Sequence, residues 1–289
     1  MISASLVNEL EAQGLDISEI ENLIARAFAE DIKDGDDKTT IATIAESQVS
    51  TARMRARKGG VVAGVYIAGA VFENVGLTQI KYFKKCGDAV DAGETILEVT
   101  GNTRNILRSE RIALNFISHL SGIATLTKKW VDEIAGTGAV IRDTRKTTPG
   151  LRQLEKFAVR MGGGENHRMN LSDGAIIKDN HIAAAGSITE AIAKVRNTFP
   201  GMPVEVEVDS LEQLKEALQS NPEIVLLDNM NIEMTKAAVE LTKNTKTLLE
   251  SSGGLALTNV RSYAETGVDY LAIGALTHSA PILDIGLDF

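Results

Sequence analysis

Six short apolar runs, at 139–141, 175–177, 204–208, 224–227, 247–249 and 270–273, recur through the second half of this chain. Their spacing, roughly 20–35 residues, is that of strands separated by helices, and helical stretches such as 210–219 and 231–243 fill most of the intervals. That alternation commits the region to parallel βαβ units, leaving an open doubly wound sheet or a barrel. No glycine-rich dinucleotide fingerprint comes after the first run, so a barrel is expected. Every run leads into polar residues: Arg142-Asp143-Thr144-Arg145-Lys146, then Lys178-Asp179-Asn180-His181, Asp209 after Glu205 and Glu207, Asp228-Asn229, Glu250-Ser251-Ser252-Gly253-Gly254, and Gly274-Ala275. Barrel enzymes keep their chemistry at these C-terminal strand ends. One polar run is unremarkable, because loops are polar anyway. Six, with acids and bases separated by strand, mark a site.

Charge sharpens this. Residues 142–168 hold seven cations (Arg142, Arg145, Lys146, Arg152, Lys156, Arg160, Arg168) against Asp143, Glu155 and Glu165. The local +4 sits in a chain of formal charge −9, leaving −13 for the rest. A basic pocket in an acidic protein suits a small polyanion. Arginine forks hold carboxylate or phosphate bidentately, which makes Arg145 and Arg168 candidate clamps, with Lys146 beside them. Arg152, Lys156 and Arg160, three to four apart, read instead as a solvated helix face. His167 is either an anion partner or a structural histidine, and Gly162-Gly163-Gly164 before it is either a close backbone approach to a ligand or a plain flexible loop.

The run Val204-Glu205-Val206-Glu207-Val208 alternates with period 2, so both glutamates share one face. Acids in a barrel mouth must be paired or metal-bound. With Asp228 they suit Mg²⁺ or sugar hydroxyls, or they pair with Lys146 and Lys178. Ser251-Ser252-Gly253-Gly254 and Ile273-Gly274-Ala275 come after the last two runs, where barrels commonly build a phosphate site from backbone N–H groups.

The first 58 residues open with a helical pattern (Leu15, Ile17, Ile20, Leu23, Ile24, Ala27, Phe28) that passes into the polar run 30–40, read as a solvated turn. Residues 59–108 read as short β-type runs punctuated by glycine. Ser109 is suited to cap a helix whose apolar face is Ile112, Phe116, Ile117, Leu120 and Ile123. With 44% hydrophobic and 24% charged residues, global disorder is excluded, and the acidic balance argues against nucleic acid. The single cysteine, Cys86, forms no internal disulfide, and no run approaches the length of a membrane span. The acidic N-terminus, without a basic residue before Gln13, does not read as a signal or transit peptide. A cytoplasmic protein is expected.

Glu30-Asp31 with Gly35-Asp36 and Thr39-Thr40, Ser109-Glu110-Arg111 through Ser121-Gly122-Ile123-Ala124-Thr125, the block Asp143-Thr144-Arg145-Lys146-Thr147-Thr148-Pro149-Gly150, Gly162-Gly163-Gly164 into Asn166-His167-Arg168, Lys178-Asp179-Asn180-His181, 205–209, Asp228-Asn229-Met230 and 250–254 together resemble one family. It is the type II quinolinate phosphoribosyltransferases, or carboxylating nicotinate-nucleotide pyrophosphorylases. The block at 143–150 is highly specific, and the resemblance runs nearly end to end. It departs at Asp37-Lys38, where the family carries an apolar residue and Thr or Ser.

The resemblance implies an α/β chain: an N-terminal α/β sandwich over 1–115, rejoined by about the last 15 residues, and an irregular, incomplete α/β barrel over 116–275. It implies phosphoribosyl transfer from phosphoribosyl pyrophosphate to quinolinate, giving nicotinate mononucleotide, pyrophosphate and CO₂ with Mg²⁺, in the biosynthesis of NAD. A homodimer with shared active sites is implied, or a hexamer built from it. Residue by residue, Arg145, His167 and Arg168 with Thr144 grip the quinolinate carboxylates, Arg111 reaching in from the partner chain. Lys146 and Lys178 neutralise pyrophosphate and the pyridine side. Glu207 and Asp228 orient ribose hydroxyls and hold metal, directly or through water or substrate. Ser252, Gly253, Gly254, Ile273, Gly274 and Ala275 cradle the 5′-phosphate. The competing readings are a sister phosphoribosyltransferase for another pyridine or small acid, a Schiff-base lyase using Lys146 or Lys178, and a non-catalytic binding protein.

Overall fold

The structure is a computed structural model describing residues 2–33 and 35–289; Met1 and Asp34, the latter inside the polar run expected to be a turn, lie outside the described residues. The chain divides into two compact units. One comprises Met1–Lys128, Gln153–Gly163 and Ser279–Phe289, the other Lys129–Arg152 and Gly164–His278.

The first unit carries a four-stranded antiparallel sheet in the order Ile285–Asp288, Val49–Ala56, Thr95–Asn102, Gln79–Tyr82. Helices Ala4–Ala12, Ile17–Asp31 and Val65–Asn74 accompany it. Helix Ile17–Asp31 starts at Asp16, whose carboxylate accepts from the N–H groups of Ser18 and Glu19. Several sequence expectations are corrected here. The strand Val49–Ala56 lies beyond the polar run, in a stretch for which no element was expected, and Val65–Asn74, read among β-type runs, is a helix. Eight of its ten residues are buried, so it has no polar stripe to betray its period. The polar run does not end as a turn, because Asp37 caps a short helix, Lys38–Thr43, accepting from the Thr40 N–H at 3.0 Å. Nor does Ser109 open a helix. The helix runs Thr103–Glu133, and the Ser109 hydroxyl bonds back to the Asn105 carbonyl at 2.7 Å from mid-helix. Lys156 is fully buried in helix Arg152–Met161 and not on a solvated face. Gly162 is explained by packing: a Cβ there would stand 2.4 Å from the Ala124 carbonyl oxygen.

The second unit is built on six parallel strands: β1 (Val140–Arg142), β2 (Ala175–Ile177), β3 (Val204–Val208), β4 (Ile224–Asp228), β5 (Leu248–Ser252) and β6 (Tyr270–Ala272). Their order is β1-β6-β5-β4-β3-β2. The first strand pairs with the last while consecutive strands pair elsewhere, which is how a barrel closes. β1 and β2 do not pair, so the barrel is open along that one seam. There the segment after Gly164 bridges to β1, Glu165 pairing with Arg142. Helices Leu211–Gln219 and Ile232–Thr242 begin at Ser210 and Asn231, each side chain capping an N–H. No described helix is long and apolar enough to cross a membrane.

Candidate active site

Residues paired across parallel strands point to the same face, so register alone assembles the barrel interior. Ile176 pairs with Glu205, and Glu205 with Ile224. Glu207 pairs with Leu226, Leu226 with Glu250, and Glu250 with Tyr270. Asp228 pairs with Ser252, Ser252 with Ala272, and Ala272 with Arg142. Lys178, two residues beyond Ile176, joins this face. The opposite face carries Val204, Val206, Val208, Val225, Leu227 and Leu271, all buried. Apolar side chains therefore pack outward and charged ones line the inside. Arg142, Asp228 and 250–252, expected just beyond their strands, lie within them. The apolar runs stop early because the interior is polar, while the hydrogen-bond ladder continues.

The interior has two tiers. The deeper one is a charged cluster. The His167 Nε2 lies 2.9 Å from Glu205 Oε2 and 3.5 Å from Glu250 Oε1. Arg142 Nη1 donates to Glu250 Oε2 at 2.8 Å while its guanidinium stacks on the Tyr270 ring at 4.1 Å. Glu250 is fully buried, and burial first, then the charge of Glu205, pushes its pKa up to about 7. The buried Asp143 carboxylate accepts from the His167 backbone N–H at 2.8 Å and from the Asn166 amide at 2.6 Å, which pins the loop carrying the histidine.

The shallower tier is the mouth. Lys178 pairs with Glu207, the lysine about half exposed. Asp228 accepts from the Asn229 amide at 3.0 Å. Arg168 donates to the Gly174 carbonyl at 2.6 Å; burial first, then the Arg145 charge, lowers its pKa. An anion bound beside both cations would relieve that repulsion. The Lys146 stem passes 3.0 Å from where a Gly274 Cβ would sit, and its carbonyl accepts from the Thr277 hydroxyl at 2.8 Å, so the loops after β1 and β6 are locked together. Thr144 Oγ1 accepts the Lys146 N–H at 3.0 Å. Gly253 has φ +90°, and a Cβ there would stand 2.2 Å from Asn229 Oδ1. Asn229, itself at φ +54°, donates its N–H to the Ser252 carbonyl at 2.8 Å. Glycine is thus required where the candidate phosphate loop begins.

Of the residues expected from sequence, Thr144, Arg145, Lys146, His167, Arg168, Lys178, Glu207, Asp228, Ser252, Gly253, Gly254, Ile273, Gly274 and Ala275 all belong to the second unit, while Arg111 is exposed on a helix of the first. Glu205 is corrected: it does not stand with Asp228 but a pleat deeper than Glu207, engaged with His167. Glu207 and Asp228 present hard carboxylate oxygens at adjacent strand ends, a donor set that suits Mg²⁺ when phosphate and water complete its octahedron. His167, Glu205 and Glu250 also bring donor atoms within 4.8 Å of one another, but Arg142 already supplies positive charge there. The sequence places Arg142, Asp143, Asn229 and Glu250 among the polar strand-end residues, and Asn166 in the family resemblance, but assigns none of them a role. Only an acid interrupting an apolar strand, as Glu250 does, signals such a residue in advance.

An incomplete α/β barrel with cationic clamps, paired acids and glycine-lined loops at its strand ends defines an enzyme site for small polyanions. Comparisons with known proteins make the class specific. The N-terminal and C-terminal domain profiles of the quinolinate phosphoribosyl transferases match residues 37–121 and 123–288. A nicotinate-nucleotide pyrophosphorylase [carboxylating] of Mycobacterium leprae is 52% identical over 270 residues, 92% of this chain and 95% of the relative. A probable nicotinate-nucleotide pyrophosphorylase [carboxylating] of Bacillus subtilis is 43% identical, covering 93% of each chain. Among solved structures, the nicotinate-nucleotide pyrophosphorylase of Ehrlichia chaffeensis superposes with a TM-score of 0.89 at 42% identity, covering 95% of this chain and 98% of that one. The chain belongs to the quinolinate phosphoribosyltransferase family.

Proposed function

We propose that this protein transfers the phosphoribosyl group of phosphoribosyl pyrophosphate to quinolinate and decarboxylates the product, yielding nicotinate mononucleotide, pyrophosphate and CO₂. What supports the reading is a family match that spans nearly the whole chain, together with Arg145 and Arg168 at the barrel mouth, near enough that the charge of one lowers the pKa of the other. Arg145 and Arg168, with Thr144, hold the two carboxylates, His167 supporting Arg168 through its Nδ1 contact to that backbone, and so orient the pyridine nitrogen toward ribose C1, a proximity effect. Departure of pyrophosphate leaves a cation-like sugar, which Glu207 and Asp228 stabilise while they hold the ribose hydroxyls. Lys146 and Lys178 take up the charge of the leaving group, the Lys178–Glu207 pair keeping that lysine aimed across the mouth. Glu207 and Asp228 would hold Mg²⁺ together with the substrate's own oxygens, and the ion would supply charge neutralisation to the departing pyrophosphate. Ser252, Gly253, Gly254, Gly274 and Ala275 offer backbone N–H groups to the 5′-phosphate, while Ile273, whose N–H donates to the Arg142 carbonyl at 2.9 Å, lines the site. No protein nucleophile is needed. Loss of CO₂ beside the alkylated, cationic nitrogen leaves an electron pair on the ring carbon, which the ring charge stabilises until that carbon takes up a proton from water.

A cytoplasmic homodimer that shares its sites, Arg111 entering from the partner chain, belongs to the same reading. The test is incubation with quinolinate, phosphoribosyl pyrophosphate and Mg²⁺: CO₂ and nicotinate mononucleotide are expected in equal amounts, each dependent on the pyrophosphate donor. Sharing is tested by mixing Arg111→Ala with Lys178→Ala, each inactive alone. Partial recovery is expected, and none after confirmed subunit exchange contradicts it.

A further inference from the structure

The deeper tier contains ionisable groups that the transfer itself does not use, and their geometry fixes the state of one that it does. Both nitrogens of His167 are engaged. Nδ1 lies 2.7 Å from the Arg168 backbone nitrogen, a donor with no alternative role, so Nδ1 must accept and carries no proton. The ring proton is then on Nε2, which faces Glu205 Oε2 at 2.9 Å. This arrangement also argues against a cation among His167, Glu205 and Glu250. Metal ligation would need the Nε2 lone pair, moving the proton to Nδ1 and setting two N–H donors against each other at 2.7 Å. Instead, the Arg142 guanidinium holds Glu250 by one oxygen and offsets its charge. A cavity of about 200 Å³ lined by Arg142, His167, Arg168 and Glu205 lies alongside, and the buried Nε of Arg142 and of Arg168 and the Oε1 of Glu205 and of Glu250 have no hydrogen-bond partner.

We propose that Glu205, backed by Glu250 and Arg142, is a positioning residue for the carboxylate clamp. It keeps the His167 proton on Nε2, which leaves Nδ1 to tether the Arg168 backbone and so aims the Arg168 guanidinium at the substrate. The effect on substrate rests on the quinolinate reading; the tautomer does not. The chain has four histidines, so long-range ¹H–¹⁵N correlation spectra of the unliganded protein can be assigned by single His→Gln substitutions.

In the wild-type protein at neutral pH, His167 is expected to show a proton-bearing Nε2 and a lone-pair Nδ1. Glu205→Met is expected to lose that signature and to raise the quinolinate KM at least tenfold, with the KM for phosphoribosyl pyrophosphate within twofold. Glu205→Gln, whose amide oxygen still accepts, restores both. An imidazolium or an Nδ1–H ring in the wild type overturns the proposal, as does an unchanged quinolinate KM in Glu205→Met. So does an equal rise in both KM values. Should Glu205→Met not fold, the wild-type and Glu205→Gln spectra still decide. Absence of quinolinate turnover alongside the expected wild-type spectrum defeats the functional reading and leaves the tautomer assignment standing.

Discussion

The two tiers of the barrel interior use the same residue types to opposite ends. At the mouth, Lys178 and Glu207 are partly solvated, and the charge of Arg145 bears on Arg168 more strongly than the nearby acids Glu205 and Asp173 do. Arg142, Glu205, Glu250 and His167 are largely withdrawn from solvent and engaged with one another. The mouth is left electrostatically incomplete and wants a ligand. The deeper tier is nearly complete and wants none. Substitutions should therefore separate: Arg142 and Glu250 act chiefly on stability, the mouth residues on turnover, and Glu205 reaches the substrate only through His167 and Arg168.

The largest effect is expected from Arg142→Met, which leaves Glu250 buried without its counter-charge. Removing one partner of a buried pair costs about 3–5 kcal/mol. Because Glu250 can take a proton instead, the loss measured by denaturant unfolding should be greater at pH 8 than at pH 6. Arg145→Ala comes next and should leave unfolding unchanged, since the residue is exposed. It should lower kcat/KM for quinolinate by about 2–3 kcal/mol, the value of a charged hydrogen bond. If its unfolding shifts as much as its turnover, the division between tiers fails.

Glu250→Gln sharpens the comparison through pH. The folded carboxyl titrates at about 7 against an ordinary value of 4.5, so between those values the native state holds a proton the unfolded chain has released. Native stability accordingly falls as pH rises through that window and levels above it, by on the order of 1–3 kcal/mol. Glu250→Gln should flatten that stretch of the unfolding profile. Smallest is Lys178→Met. Loss of a half-exposed pair should cost less than about 1 kcal/mol of stability while turnover collapses, as calorimetry and a rate assay on one preparation would show.

Legibility in the sequence divides along the same line. Val204-Glu205-Val206-Glu207-Val208 announced its faces through period 2, and the capping residues Ser210 and Asn231 stand where their helices begin. The mouth residues were visible because each succeeds or ends an apolar run. The deeper tier was not, since Glu205 and Glu250 become partners of His167 only when strands far apart in the chain come into register. Helix Val65–Asn74 was missed for a different reason, burial on all sides, which erases the amphipathic pattern. Lys156 misled because helical spacing of cations does not reveal which of them the fold encloses.

The central claim is that paired guanidiniums at the mouth are built for two adjacent carboxylates. Isothermal titration of the wild-type protein with quinolinate and, separately, with nicotinate tests it most directly. Quinolinate is expected to bind at least tenfold more tightly, with Arg145→Ala abolishing the difference. Equal affinities for the two acids would contradict it.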